Sequence, residues 1–192
     1  YSDSQWNTAV GTQALINIDG SGPILNSAFG YSALKDLTTG FSNSAFGNDA
    51  LFSLTTGSKN VGIGRNVGEN LVTGSNNVFI GYKAGYNETG SNKLYIGSYD
   101  DSGSAERNLI TGNFATGDLS LGQTSGTVSI LNDADIDGTL ETDALSINGT
   151  TVTSTAAELN ILDGVTASAT DINLIDGITN GTVSASKAIV SD

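Results

Sequence analysis

Cysteine, histidine and methionine are absent from these 192 residues, and proline occurs once. Without cysteine no disulfide can staple the chain, and without Cys and His the ligand sets of ordinary zinc sites are missing. Ser-His and Cys-His nucleophile pairs are excluded as well, so any enzyme chemistry would have to run on carboxylates alone. Basic residues are also scarce: seven Lys and Arg stand against twenty Asp and Glu, for a net charge of -13. The imbalance is uneven. Residues 1–107 carry six basic and nine acidic groups, whereas residues 108–192 carry one basic and eleven acidic groups. So acidic a surface repels phosphate backbones, and no nucleic-acid partner is expected. No apolar run approaches the ~18 residues of a spanning helix, so no membrane insertion is expected either. The chain shows no signal-peptide pattern and does not start with Met, and reads as a piece of a longer protein.

What the chain does have is glycine, 25 residues of it, and a 38% hydrophobic fraction that recurs regularly, unlike a disordered composition. The recurrence is a repeat. Asn26, Asn43, Asn60 and Asn77 are each seventeen residues apart, and a Gly follows four residues later at Gly30, Gly47, Gly64 and Gly81. A large apolar residue precedes each Gly, at Phe29, Phe46, Ile63 and Ile80. Ala33, Ala50, Val67 and Ala84 follow, then Leu37, Leu54 and Leu71, and each unit closes at Gly40, Gly57, Gly74 or Gly90. The fourth unit is one residue short and "KLYIG" (93–97) begins a fifth; "NTAVG" (7–11) looks like an earlier copy, with a two-residue longer unit after it.

Seventeen residues are too few for a stable helix pair but suit one coil of a parallel β-solenoid: a short strand, a Gly corner, a second short segment and a Thr-Gly corner. In "NVFIG", alternation sends Val78 and Ile80 one way and Phe79 the other. Stacked coils repeat every ~4.8 Å, so five coils make a rod of ~24 Å. The Asn column is either an amide ladder from coil to coil or a series of plain turn residues. "ALKDL" and "ALFSL" are either second short segments or single helical turns. Such a coil has a thin core and is stable only in a stack. The columns Leu34, Leu51, Gly68 and Gly85 are expected to need covering, which three rods about one axis would supply.

"NVGIG", "NVFIG" and "NSAFG" resemble the strands in the heads of trimeric autotransporter adhesins, which are parallel β-rolls in a homotrimer. "NSAFGYSALKDLTTG" more closely resembles repeats of phage tail fibres, especially those of marine and cyanobacterial phages. The seventeen-residue period and the Thr-Thr-Gly corner depart from the adhesin pattern.

Residues 98–127 lose the period and read as a transition with short strands. From 128 the apolar period is two, placing Val128, Ile130, Ala134, Ile136 and Leu140 on one face of an acidic β shaft (128–152). Asp133, Asp135 and Asp137 then share the other face. "DADIDG" matches the start of an EF-hand loop, but the twelfth position, where a bidentate Glu belongs, is Ala144. The three aspartates are weak metal candidates and otherwise a solvated strand face. A second repeat follows: "TAAELNILDGV" (155–165) is echoed by "SATDINLIDGI" (168–178). Thr155 with Glu158, and Ser168 with Asp171, have capping-box spacing, and Gly164 and Gly177 sit where C-caps belong, predicting two short capped helices within 153–178. Residues 179–192 read as the start of a further strand segment.

The "ELNxLDG" units strongly resemble repeats of marine phage tail fibres, and with the first repeat the resemblance spans nearly the whole chain. It implies a mainly β fold: a β-roll-like solenoid over 1–97 followed by an intertwined trimeric shaft of short strands and short helices. It further implies a parallel homotrimer on the virion, extracellular, joined to other tail proteins and attaching to a host cell-surface receptor, for which a glycan is one candidate. The alternative is the head or stalk of a bacterial trimeric autotransporter-like adhesin. No catalytic residue and no cofactor are expected, because the repeat places no pair of carboxylates in equivalent columns.

Overall fold

The structure, a computed structural model, describes residues 6–18, 24–99, 106–122 and 127–160. The chain divides into two compact units, Tyr1–Asp133 and Ala134–Asp192. The first is mainly β and holds a parallel β-solenoid of about five coils. Its strands are β1 (Thr8–Val10), β2 (Ser27–Phe29), β3 (Ser44–Phe46), β4 (Val61–Ile63), β5 (Val78–Ile80) and β6 (Lys93–Tyr99). They pair in parallel in chain order. Ser27, Ser44, Val61 and Val78 align at steps of seventeen, and Val78 aligns with Leu94 across the short coil. Thr8 aligns with Ser27 across the long one.

Three residues per coil suffice for a strand because every coil bonds to the next through the backbone. Ser44 N–H donates to the Asn60 carbonyl (2.8 Å) and Gly47 N–H to the Phe29 carbonyl (2.8 Å). Beyond the strand, "ALKDL" is neither a strand nor a helical turn. Local turns, such as Leu37 N–H to the Leu34 carbonyl (3.3 Å), alternate with bonds between coils, such as Leu34 N–H to the Ala50 carbonyl (3.0 Å). The backbone folds this tightly by entering the left-handed region at fixed places. Ser32, Asp49, Asn66 and Lys83 have φ of 53–54°, and Leu34 and Leu51 have φ of 52° and 51°. A non-glycine residue there costs on the order of 1–2 kcal/mol, which only a stack that fixes each coil from its neighbours would sustain.

The core is a thin set of stacked alanine, valine and leucine columns, with Phe79 in the last coil. Ala28 and Ala45 of the strands face inward against Leu34 and Leu51, with Ala33, Ala50, Val67 and Ala84 beside them and Leu37, Leu54 and Leu71 closing the far side; all are fully buried. Leu34 and Leu51 are therefore not waiting for a partner rod: their own coils cover them. The columns change composition together. Gly62 replaces the strand alanine, where Leu51 and Val67 close in, and Gly68 replaces the leucine, where Phe79 of the next coil fills the space. A Cβ on Gly68 would lie 2.8 Å from the Phe79 ring and 2.7 Å from Leu51. Gly85 makes the same room on the other side, 2.9 Å from that ring.

The sheet continues past the solenoid. β7 (Glu106–Asn113) pairs antiparallel with β6, and β8 (Asp118–Leu121) with β7, making one eight-stranded sheet. The transition segment thus supplies a meander that covers the edge of the last coil, as terminal caps do in repeat proteins.

Residues 127–145 form no strand, and Val128, Ile130, Ile136 and Leu140 are exposed; the expected β shaft is an arrangement of three chains, which one chain does not test. A period-two segment has no partner strand in a single copy, and a strand alone leaves its backbone unpaired. In the second unit, β9 (Ser146–Ile147) and β10 (Thr150–Thr151) make a two-residue hairpin, turned by Asn148 (φ 49°) and Gly149 (φ 79°). The helix α1 (Ala156–Asn160) has its capping box: Glu158 N–H donates to Thr155 Oγ1 (3.2 Å), and Thr155 N–H donates to the Glu158 carboxylate (2.7 Å). The Thr155 N–H, with the Thr155 hydroxyl that also donates to the carboxylate (2.8 Å), holds the Glu158 pKa below the ordinary value. The second expected helix, with Ser168, Asp171 and Gly177, lies outside the described residues, as does 179–192.

Candidate functional site

The repeat positions divide between a buried spine and an outward face. The asparagines are the spine. Asn26, Asn43, Asn60 and Asn77 are fully buried, and each side-chain amide donates to the carbonyl oxygen of the amide one coil before: Asn43 Nδ2 to Asn26 Oδ1 (3.1 Å), Asn60 to Asn43 (3.0 Å) and Asn77 to Asn60 (3.0 Å). The second amide hydrogen goes to the closing glycine of the same coil, Gly57 (2.9 Å) for Asn43 and Gly74 (2.9 Å) for Asn60. Each Oδ1 also accepts the next backbone N–H, as Asn43 Oδ1 does from Asn60 (3.0 Å). In Asn26, Asn43 and Asn60 both donors and both lone pairs of the amide are used, which no other side chain of this size can do. A second, shorter ladder escaped the sequence reading. Phe41, Ser58 and Ser75 each donate a backbone N–H to the serine hydroxyl of the following coil, at Ser58, Ser75 and Ser91.

The corner glycines hold the coils at backbone contact. Gly30, Gly47 and Gly64 have φ of 141–142°, and a Cβ there would sit 2.2–2.3 Å from the glycine carbonyl oxygen of the next coil.

Phe29, Phe46, Ile63 and Ile80 face outward. Phe29 and Phe46 stack with ring centroids 5.0 Å apart and an interplanar angle of 3°. Val10, Phe29, Phe46 and Ile63 remain 52%, 36%, 40% and 43% exposed. This column and its companion on the same face, Thr8, Ser27, Ser44, Val61, Val78 and Leu94, contain no charged side chain. This uncharged strand face is therefore exposed, whereas the Leu34 column is not.

The core ends in a polar pair. Glu88 takes the place that Leu37, Leu54 and Leu71 hold in earlier coils, and accepts hydrogen bonds from the Tyr95 hydroxyl (2.7 Å), Gly90 N–H (2.7 Å) and Thr89 N–H (3.0 Å). Partial burial pushes its pKa up, but the Tyr95 hydroxyl, the two backbone donors and the Lys93 charge outweigh this and hold it below the ordinary value. Tyr95 in turn stacks on Phe79 (5.5 Å, 16°).

Cations of the coils rest on rings. Lys35 lies over Phe52 (4.7 Å to the centroid), Lys59 over Phe41 (5.9 Å) and Arg65 over Tyr82 (5.9 Å). Lys83 lies over three rings, Tyr86 (5.0 Å), Tyr99 (5.5 Å) and Tyr82 (5.6 Å). This cluster was not read from the sequence.

Asp133, Asp135 and Asp137 are exposed, and no group of three or more side chains placed to hold a metal ion occurs among the described residues. No described helix is long and apolar enough to cross a membrane. No protein-family model matches this chain, and neither does any curated protein or solved structure.

Proposed function

We propose that this chain is a structural and adhesive segment of a homotrimeric phage tail fibre, carried on the virion and used in host attachment, with no catalytic role. The observation that carries the proposal is the uncharged apolar face of the solenoid. A column of Val, Phe and Ile repeated at every coil matches best another copy of itself, because in a parallel assembly each coil meets its own equivalent. Six strands make that face roughly 24 Å by 7 Å, well short of the ~800 Å² per partner of a stable interface. The exposed apolar residues of 128–147 would supply the remainder, each unit meeting its own counterpart in the other chains. This account also explains why a segment of period-two pattern is without strands in one copy.

The strands "NVGIG" and "NVFIG" support a second reading, a bacterial trimeric adhesin. Antibodies raised against this chain separate the two. Decoration of virion fibres, with loss of adsorption, is expected; decoration of a bacterial outer surface would favour the adhesin, and labelling of neither would sink both.

A further inference from the structure

Round the glycine corner from the apolar face, the last coil and the end of β6 bring Tyr82, Lys83, Tyr86 and Tyr99 together, with Arg65 one coil away. The backbone fixes the grouping: Lys83 N–H donates to the Arg65 carbonyl (2.9 Å) and Tyr99 N–H to the Tyr82 carbonyl (2.9 Å). Tyr86 and Tyr99 are tilted by 57° with centroids 6.3 Å apart, so neither ring covers the other. All four side chains are half-buried, and Arg65 is exposed.

Lys83 is unusual in how it is held. Its ammonium lies 5.0–5.6 Å from three ring centroids. Among the described residues, its three N–H donors meet no hydrogen-bond acceptor and no carboxylate. Glu69, the acidic group on the neighbouring coil, is engaged by Asn66. Rings attract a cation but accept no strong hydrogen bond, so they position the ammonium while leaving its donors to an outside acceptor. Such an acceptor meets a cation already partly desolvated and fixed, which lowers the ordering cost of binding. The tyrosines add flat faces that suit the C–H face of a pyranose, and hydroxyls at their rims.

We infer that this cluster is a binding site for an acidic sugar, a pyranose bearing a carboxylate. The carboxylate would be taken by Lys83 and Arg65, and the ring stacked on a tyrosine of the Tyr82, Tyr86 and Tyr99 group. The inference deepens the adhesive reading and rests on it for the source of the sugar, an acidic polysaccharide of the host surface.

Titration calorimetry of the whole chain with an oligogalacturonate tests it, alongside a neutral oligosaccharide of equal length and sodium acetate. The oligogalacturonate should bind, more weakly as NaCl rises, while the neutral sugar and acetate should each bind at least about tenfold more weakly, since either the charge or the ring is missing. Lys83→Gln and Tyr99→Ala should each weaken binding by about tenfold or more, with melting temperature and mass unchanged. Absence of binding by the wild type, equal binding of the neutral sugar, or unaltered binding by folded Lys83→Gln would overturn the site. If a variant fails to fold, competition by 1 M NaCl on the wild type decides: binding that salt leaves intact contradicts the role of Lys83 and Arg65. The proposal for the fibre fails separately, on mass: a monomer that still binds the acidic sugar would refute the trimer and keep the site.

Discussion

At the scale of single residues, the buried amides carry most consequence. Asn60→Ala removes the donors to Asn43 and Gly74 and the acceptor for Asn77, all in the buried spine. It should cost about 3 kcal/mol, because each orphaned buried group loses roughly 1–3 kcal/mol. Asn70→Ala, at an exposed position of the same coil, should stay within ~0.5 kcal/mol; urea denaturation of both variants measures the difference. Glu88 makes a pH prediction. Its pKa is lowered in the folded chain, so the stabilisation is fully present above the unfolded value, 4.5, and is lost as pH falls through the folded value. Melts should show the end of the solenoid weakening from about pH 4.5 downward, and Glu88→Gln should flatten that dependence. A wild-type profile identical to that of Glu88→Gln would show that the Tyr95 and backbone bonds do not hold the carboxylate.

At the scale of the coil, the glycine corner and the Phe79 plug are the points of least tolerance. Gly64→Ala places a Cβ 2.3 Å from the Gly81 carbonyl oxygen at φ 141°, so the two coils must part and break their ladder. A loss of several kcal/mol is expected, at the high end of single substitutions, which exceed ~4 kcal/mol only for such mechanisms. Phe79→Ala empties the space that Gly68 and Gly85 leave, and should cost ~3–5 kcal/mol by thermal or urea melts. The period, the coil and the Asn column were legible in the sequence because repetition fixes them. Which side faces in was not. In most sheets the larger apolar residues are buried, but here the strand column has room only for Ala28 and Ala45 against Leu34 and Leu51, and Phe29 and Phe46 are left outside. The turns were equally hidden, since left-handed Leu34 and Leu51 carry no local signal. The lysine–tyrosine cluster combines residues of two coils and of β6, and only the structure brings them together.

For the whole molecule, the balance between apolar contact and charge decides assembly. If three chains run parallel, Asp133, Asp135 and Asp137 contribute nine carboxylates, whose repulsion is screened by salt with a Debye length of ~10 Å at 0.1 M. Thermal melts should therefore rise with NaCl, and CaCl2 at matched ionic strength should do no more. A large calcium-only shift, abolished by Asp135→Asn, would instead establish a metal site despite Ala144. The outward column gives the matching test of contact. Phe46→Asp sits at a position 40% exposed in one copy, so a single coil stack would tolerate it, but it would set equivalent charges together in the trimer. The variant should lose assembly while keeping the β signature of the coils in circular dichroism.

The most direct measurement is the mass of the wild-type chain in solution by light scattering coupled to size exclusion. One chain is 19.5 kDa. The account predicts a single species about three times that mass, reduced in Phe46→Asp. A folded, monodisperse species of 19.5 kDa at every concentration would contradict it, because the column of Val10, Phe29, Phe46 and Ile63 would then face water as a stable state.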